Sequence, residues 1–122
     1  MKTLTAIVAS LMLFSAAVYV AAPLVEDNIP ESGICVVEFN ASFNASNSVD
    51  WLDNLSDCKG KRIDIATQPD MQKEHKIVVV PTIIVFNEGE EIERFQANIM
   101  MQLEATESEV QEIIDEIIMS SF

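Results

Sequence analysis

Residues 77–86 read Ile-Val-Val-Val-Pro-Thr-Ile-Ile-Val-Phe, an apolar and largely β-branched run with a proline in its middle. Such a run is strand material, because β-branched side chains are stiff at χ1 and pack well on a pleated surface. Pro81 has no N–H to give to a ladder, so it belongs at the start or edge of a strand and not in its interior. Asn87-Glu88-Gly89 then reads as a hairpin turn, and Glu91-Ile92-Glu93-Arg94-Phe95 alternates as the return strand.

The segments on either side of this hairpin supply the other layers. Ile34-Cys35-Val36-Val37-Glu38-Phe39 is short and nearly all apolar, as in a strand covered on both faces. Asn47-Ser48 offers an N-cap, with Asp50 placed where the helix dipole favours an acid. Val49, Leu52 and Leu55, with Trp51, form a stripe at helical spacing and predict a helix over 47–57. That helix should stop near Cys58-Lys59-Gly60, where glycine supplies the C-terminal cap. Arg62-Ile63-Asp64-Ile65 predicts a second strand, and Pro69 opens a short helix through about His75. The C-terminal helix is the plainest element. Thr106 and Glu109 make a capping box, and Val110, Ile113, Ile114, Ile117 and Ile118 follow on one face over 107–119. The order βαβαββα is that of a layered α/β domain.

This order, with a proline opening the third strand and a glycine hairpin after it, resembles the thioredoxin family. Val37-Glu38-Phe39 looks like the strand leading into that family's active site. Ile77-Val78-Val79-Val80-Pro81-Thr82 looks like its cis-proline segment, and Ile84-Val85-Phe86-Asn87-Glu88-Gly89-Glu90 like the following strand and hairpin. The resemblance runs from about Ile34 to Ser120. It implies a minimal thioredoxin-like βαβαββα domain over 34–122, with a four-stranded mixed sheet flanked by helices. The family's extra N-terminal strand and helix have little room in the linker 23–33. Where the family carries Trp-Cys-x-x-Cys, this chain has Phe43-Asn44-Ala45-Ser46-Asn47. Asparagine forms neither thiolate nor disulfide, so the resemblance implies a fold without its defining chemistry. Asn47 would cap the helix instead.

By the same resemblance, the Val80–Pro81 bond is cis and Val80 presents backbone groups beside the Asn44–Asn47 loop. Val80, Pro81 and Thr82 would then edge a groove to which an extended peptide adds by backbone pairing. Glu38 and Arg62 fall where the family has a buried acid and a buried basic residue, which here makes a buried ion pair with no thiol to serve. Cys35 and Cys58 are the only cysteines. A helix over 47–57 returns roughly 16 Å, and strand 35–40 covers a similar distance, so the two cysteines should end at about one level. Level does not fix face, and three states stay open: a disulfide, two buried thiols, or a relocated redox pair. Asn40, Asn44 and Asn54 each begin an Asn-x-Ser glycan acceptor. His75 reads as a half-buried helix residue with no catalytic partner, and Trp51 as packing.

The N-terminus has one basic residue, Lys2, and then no charge until Glu26. Leu4–Phe14 is an apolar stretch of signal-peptide length, and Ser15-Ala16-Ala17 offers small residues for cleavage. Leu4–Val25 is also about the ~20 residues that a spanning helix needs. Residues 1–22 are therefore either a cleaved leader or a membrane anchor over 4–25. Both imply export to the medium, a periplasm or a lumen. The formal net charge of −13 repels phosphate backbones and argues against nucleic acid as a partner. No metal-ligand spacing, Ser/His/Asp arrangement or glycine-rich phosphate loop is present, and no cofactor or metal is expected. The leading expectation is a redox-inactive thioredoxin-like module that binds a peptide or protein partner beside Pro81. The alternatives are a thiol–disulfide oxidoreductase using Cys35 and Cys58, and a structural domain in a membrane-tethered assembly.

Overall fold

Four strands form one mixed sheet in the computed structural model, which describes residues 28–122. They are β1 (Ile34–Asn40), β2 (Lys59–Asp64), β3 (Thr82–Asn87) and β4 (Glu90–Gln96), in the order β2-β1-β3-β4. β1 runs parallel to β2 and antiparallel to β3, and β4 is antiparallel to β3. Two α-helices flank the sheet: α1 (Pro69–Glu74) and α2 (Glu107–Ser120).

The central strands β1 and β3 are buried on both faces, as their continuous apolar runs require. Alternation then divides the core in two. Cys35, Val37, Phe39, Ile84 and Phe86 turn to the α1 side and join Ile63, Ile77 and Val80, with Met71 packed against them. Val36, Ile83 and Val85 turn to the other side and meet Leu52, Leu55 and, from α2, Val110 and Ile114. β3 starts directly after Pro81, and the hairpin places Glu88 and Gly89 at φ 55° and 82°. A two-residue turn with both φ positive matches the twist of the flanking strands.

α2 begins at Thr106, whose hydroxyl accepts from the Glu109 N–H at 3.3 Å. α1 takes Pro69 in its first turn, and the chain leaves it through His75 and Lys76, the latter at φ 52°.

The helix expected over 47–57 is absent. In its place stand two 3-10 segments, Ser42–Asn47 and Leu52–Asn54, with extended backbone at Ser48 and Leu55. Seven of the eleven residues from 47 to 57 are Asn, Ser or Asp. Such side chains compete for the backbone and weaken an α-helix. A three-residue apolar spacing fits a 3-10 turn as well as an α-helix, and Leu52 and Leu55 are buried all the same. β2 accordingly starts at Lys59, three residues earlier than expected, with Gly60 inside it and not at a helix cap.

The expectation of membrane anchoring is also corrected: among the described residues no helix is long and apolar enough to cross a membrane. The apolar segment 4–25 and the small residues Ser15-Ala16-Ala17 offered for cleavage lie outside the described residues.

Candidate functional site

β1 ends at Asn40, and the chain turns through Ser42–Asn47 above the C-terminal end of the strand. Asn44 is the hub of this turn. It is buried, and its backbone breaks the 3-10 geometry at φ −117°, ψ 20°. Its Nδ2 faces three acceptors: Asn40 Oδ1 at 3.1 Å, the Met101 carbonyl at 3.2 Å and the Val80 carbonyl at 3.4 Å. Two N–H bonds serve these three oxygens. Asn47 Nδ2 donates to Asn44 Oδ1 at 2.8 Å. Asn40 Nδ2 donates to the Asn44 carbonyl at 3.1 Å and to Ser48 Oγ at 2.8 Å. The asparagines thus form a closed amide network that ties the loop to the segment beside Pro81. Asn47 is part of that network and caps no helix.

The network corrects two further expectations. Asn40 and Asn44 are buried and their amides are engaged, so neither presents a nitrogen to a glycan transferase in the folded chain. Asn54 is exposed. The Val80 carbonyl, expected free for a peptide, is shared with Asn44.

Beside the loop, the Val80–Pro81 bond is cis, Pro81 and Thr82 are buried, and Thr82 Oγ1 donates to the Val79 carbonyl at 2.7 Å. A second loop, between β4 and α2, completes the surroundings. Asn98 Oδ1 accepts from the N–H groups of Met100 and Gln102 at 2.9 and 3.1 Å, and Asn98 N–H donates to the Gln102 carbonyl. Held in this side-chain-closed turn, Ile99 is fully exposed, Met100 largely so and Met101 partly so. With exposed Phe43 and Val78, Ile99 and Met101 line a cleft of about 420 Å³. Its lining runs from Ala41 and Phe43 through Ile65 and Val78–Val80 to Ile99 and Met101, and no charged residue takes part. Sequence reading missed this loop. The signal was the apolar triplet Ile99-Met100-Met101 set directly after an asparagine, outside any periodic element.

Beneath the loop Glu38 is 0% exposed, whereas the Arg62 side chain is 43% exposed. The pair is therefore buried on one side only, not on both as expected. Arg62 Nε donates to Glu38 Oε1 at 3.0 Å, and the other carboxylate oxygen accepts from Val49 N–H at 2.9 Å. A second guanidinium nitrogen donates to the Val49 carbonyl at 2.9 Å. Acid and base together hold both ends of the Val49 residue, which pins the segment that replaced the expected helix. Burial pushes the Glu38 carboxyl above the ordinary range, opposed by the Val49 N–H and by Arg62.

Cys35 and Cys58 are free thiols, which removes the disulfide from the open states. Register gives the reason. Cys35 pairs with Lys59, so Cys58 is one position off and turns to the opposite face of the sheet. Cys35 packs in the α1-side cluster, and Cys58 lies against the α2-side one. Burial pushes the Cys35 thiol up against the pull of Lys61 and Lys59, and pushes Cys58 up with Cys35 and Asp57 adding to it. Both are poorer thiolates than a free cysteine. His75 stands between the rings of Phe39 and Phe86 at centroid distances of 5.5 and 5.4 Å, a packing position.

No protein-family model matches the chain, and no curated protein matches it. Solved structures do. A mutant thioredoxin from Halobacterium salinarum NRC-1 is 19% identical, with a TM-score of 0.56 over 70% of this chain and 75% of its own. Thioredoxin from Schistosoma mansoni is 18% identical, with a TM-score of 0.56 over 70% and 78%. A designed protein is 20% identical, with a TM-score of 0.56 over 72% and 84%. At these identities the likeness speaks for architecture. Strand order, sheet direction and these matches together show that the chain has a thioredoxin-like fold, with its two cysteines outside a CxxC arrangement and unbonded.

Proposed function

We propose that this chain is a redox-inactive thioredoxin-like module that docks a peptide or protein partner in the cleft beside Pro81. One observation carries the reading. Phe43, Val78, Ile99 and Met101 are all exposed and all line one uncharged cleft, in a chain whose net charge is −13. Clustered apolar side chains left in water mark an interaction surface, and methionine suits a surface that adapts to its partner. Because Asn44 already engages the Val80 carbonyl, apolar anchoring contributes more here than backbone pairing. Redox inactivity is supported by the amides at the loop and by the two separated, buried or half-buried thiols.

Two measurements test this. In a dithiol-driven insulin reduction assay the chain gives no rate above buffer. A rate that disappears in Cys35→Ser or Cys58→Ser would overturn redox inactivity. For the cleft, a photocrosslinker at position 78 captures a partner in native extract, and Phe43→Ser with Ile99→Ser abolishes the capture. Undiminished capture by that folded double variant would move the partner to another face.

A further inference from the structure

β4 is the outer strand of the sheet, and its free edge can be phased from one hydrogen bond. Ala97 N–H donates to the Pro81 carbonyl at 3.1 Å. In an antiparallel pair, bonded and non-bonded residues alternate. The register pairs Gln96 with Thr82 and Arg94 with Ile84, so Arg94 and Gln96 turn their N–H and C=O groups away from β3. The Arg94 N–H reaches only the neighbouring Glu93 carboxylate, at 3.3 Å. Next to this edge, on the α2 side, lies a second cleft of about 290 Å³. Ile92, Ile113 and Ile117 line it, and Glu93 and Glu116 stand at its rim. Ile92 is 45% exposed. Neither rim glutamate has a cationic partner among the described residues. Arg94, the nearest cation in β4, is engaged by Glu91 and by the His75 and Lys76 carbonyls.

From these features we infer that β4 and the β4–α2 cleft accept an added strand from a partner protein, an extended segment carrying apolar residues interleaved with lysine or arginine. Outward-facing backbone groups supply the pairing, the Arg94 N–H exchanging its long bond to Glu93 for the added strand; the isoleucines receive the apolar side chains, and Glu93 and Glu116 select for cations. A second copy of this chain is a poor occupant. Two such edges side by side would set Glu90, Glu91 and Glu93 against their own kind, the usual guard against self-pairing. The described chain begins at Asn28, whose carbonyl accepts from Lys61 of β2, at the opposite edge of the sheet.

The test uses the full chain and a capped eight-residue peptide of alternating valine and lysine. Controls carry glutamate for lysine, or a central proline. The lysine peptide should bind at least tenfold tighter than either control and lose at least fivefold in 0.5 M salt. On binding, the Arg94 and Gln96 amides should exchange more slowly, and the folded double variant Glu93→Lys with Glu116→Lys should lose at least tenfold. Ile92→Asp, which removes the apolar contact without disturbing the core, should also weaken binding. The inference is overturned by equal binding of the glutamate peptide, by unchanged Arg94 and Gln96 amides in the complex, or by no binding at all, which would leave the edge merely guarded. Binding lost in Ile99→Ser in place of these variants would assign the peptide to the Pro81 cleft. Two other occupants are also testable. A concentration-dependent dimer broken by Ile92→Asp, or an edge that binds only after residues 1–27 are removed, would each overturn it.

Discussion

Replacing Asn44 by aspartate changes one NH2 group to oxygen and nothing in shape, yet it reverses the chemistry of the loop. The Asn44 Nδ2 stands 3.1–3.4 Å from three oxygens. Removing that donor forfeits about two hydrogen bonds at roughly 1 kcal/mol each. Asn44→Ala therefore costs about 2–3 kcal/mol, including the small void. Asn44→Asp loses the same donors and sets a charged oxygen against three others, so it should cost about 3–5 kcal/mol at neutral pH, more than the alanine variant. That is a large share of the ~5–15 kcal/mol that holds a small domain together.

The pH dependence follows. The introduced carboxyl is buried among acceptors, so its folded pKa lies above the ~3.9 of an unfolded aspartate. A group with a raised folded pKa contributes stability below its unfolded value and loses it as pH rises through the folded one. Asn44→Asp should approach Asn44→Ala near pH 4 and fall below it by pH 7. Urea unfolding followed through Trp51, the single tryptophan, gives both free energies at each pH. If the two variants are equally stable at pH 7, or their difference does not move with pH, Asn44 is not held in place as a donor.

Two further outcomes are expected. In the native chain a small thiol reagent should modify Cys58 slowly and Cys35 only at the rate of unfolding, because Cys35 is buried, with two thiols per chain released in denaturant; a single thiol would mean a bond the fold does not show. Glu38 has a raised folded pKa, so its contribution to stability is lost as pH rises from the ordinary carboxyl value through the raised one; Glu38→Gln should therefore gain on the parent across that window, and a pH-independent difference in urea stability would refute the burial argument.

What the sequence made legible was whatever local periodicity controls. The proline-split run gave β3 and its start, the two-residue turn gave β4, and the capping box at Thr106 and Glu109 gave α2. The first helix failed because its apolar spacing of three is shared by the 3-10 turn, and its many Asn, Ser and Asp residues decide against an α-helix. Asn44 was placed in the right loop but its burial was not readable. Its decisive partners, Val80 and Met101, lie 36 and 57 positions away. The Ile99–Met101 loop carried no period at all, since exposed apolar residues in a turn look like any other loop until the neighbours are known.

The same long-range bonds bear on what the loop can do. A catalytic thiol pair has to keep its sulfurs exposed to the substrate and open to exchange. Here the Asn44 side chain is buried, and it joins the Ser42–Asn47 turn, the Val80 carbonyl and the Met101 carbonyl into one unit. Met101 sits at φ 59°, a backbone conformation that costs about 1–2 kcal/mol for a residue with a side chain. The Asn98 turn and the Asn44 bond are what hold it there. Three separate chain segments that carry Phe43, Val78 and Ile99 are thereby fixed relative to one another before any partner arrives. An apolar surface fixed in advance spends little of its binding free energy on ordering its own loops. On the proposed docking function, the asparagines serve by holding the walls of the cleft in place. Loosening them by Asn44→Ala should weaken docking in the cleft even though Asn44 itself need never touch the partner.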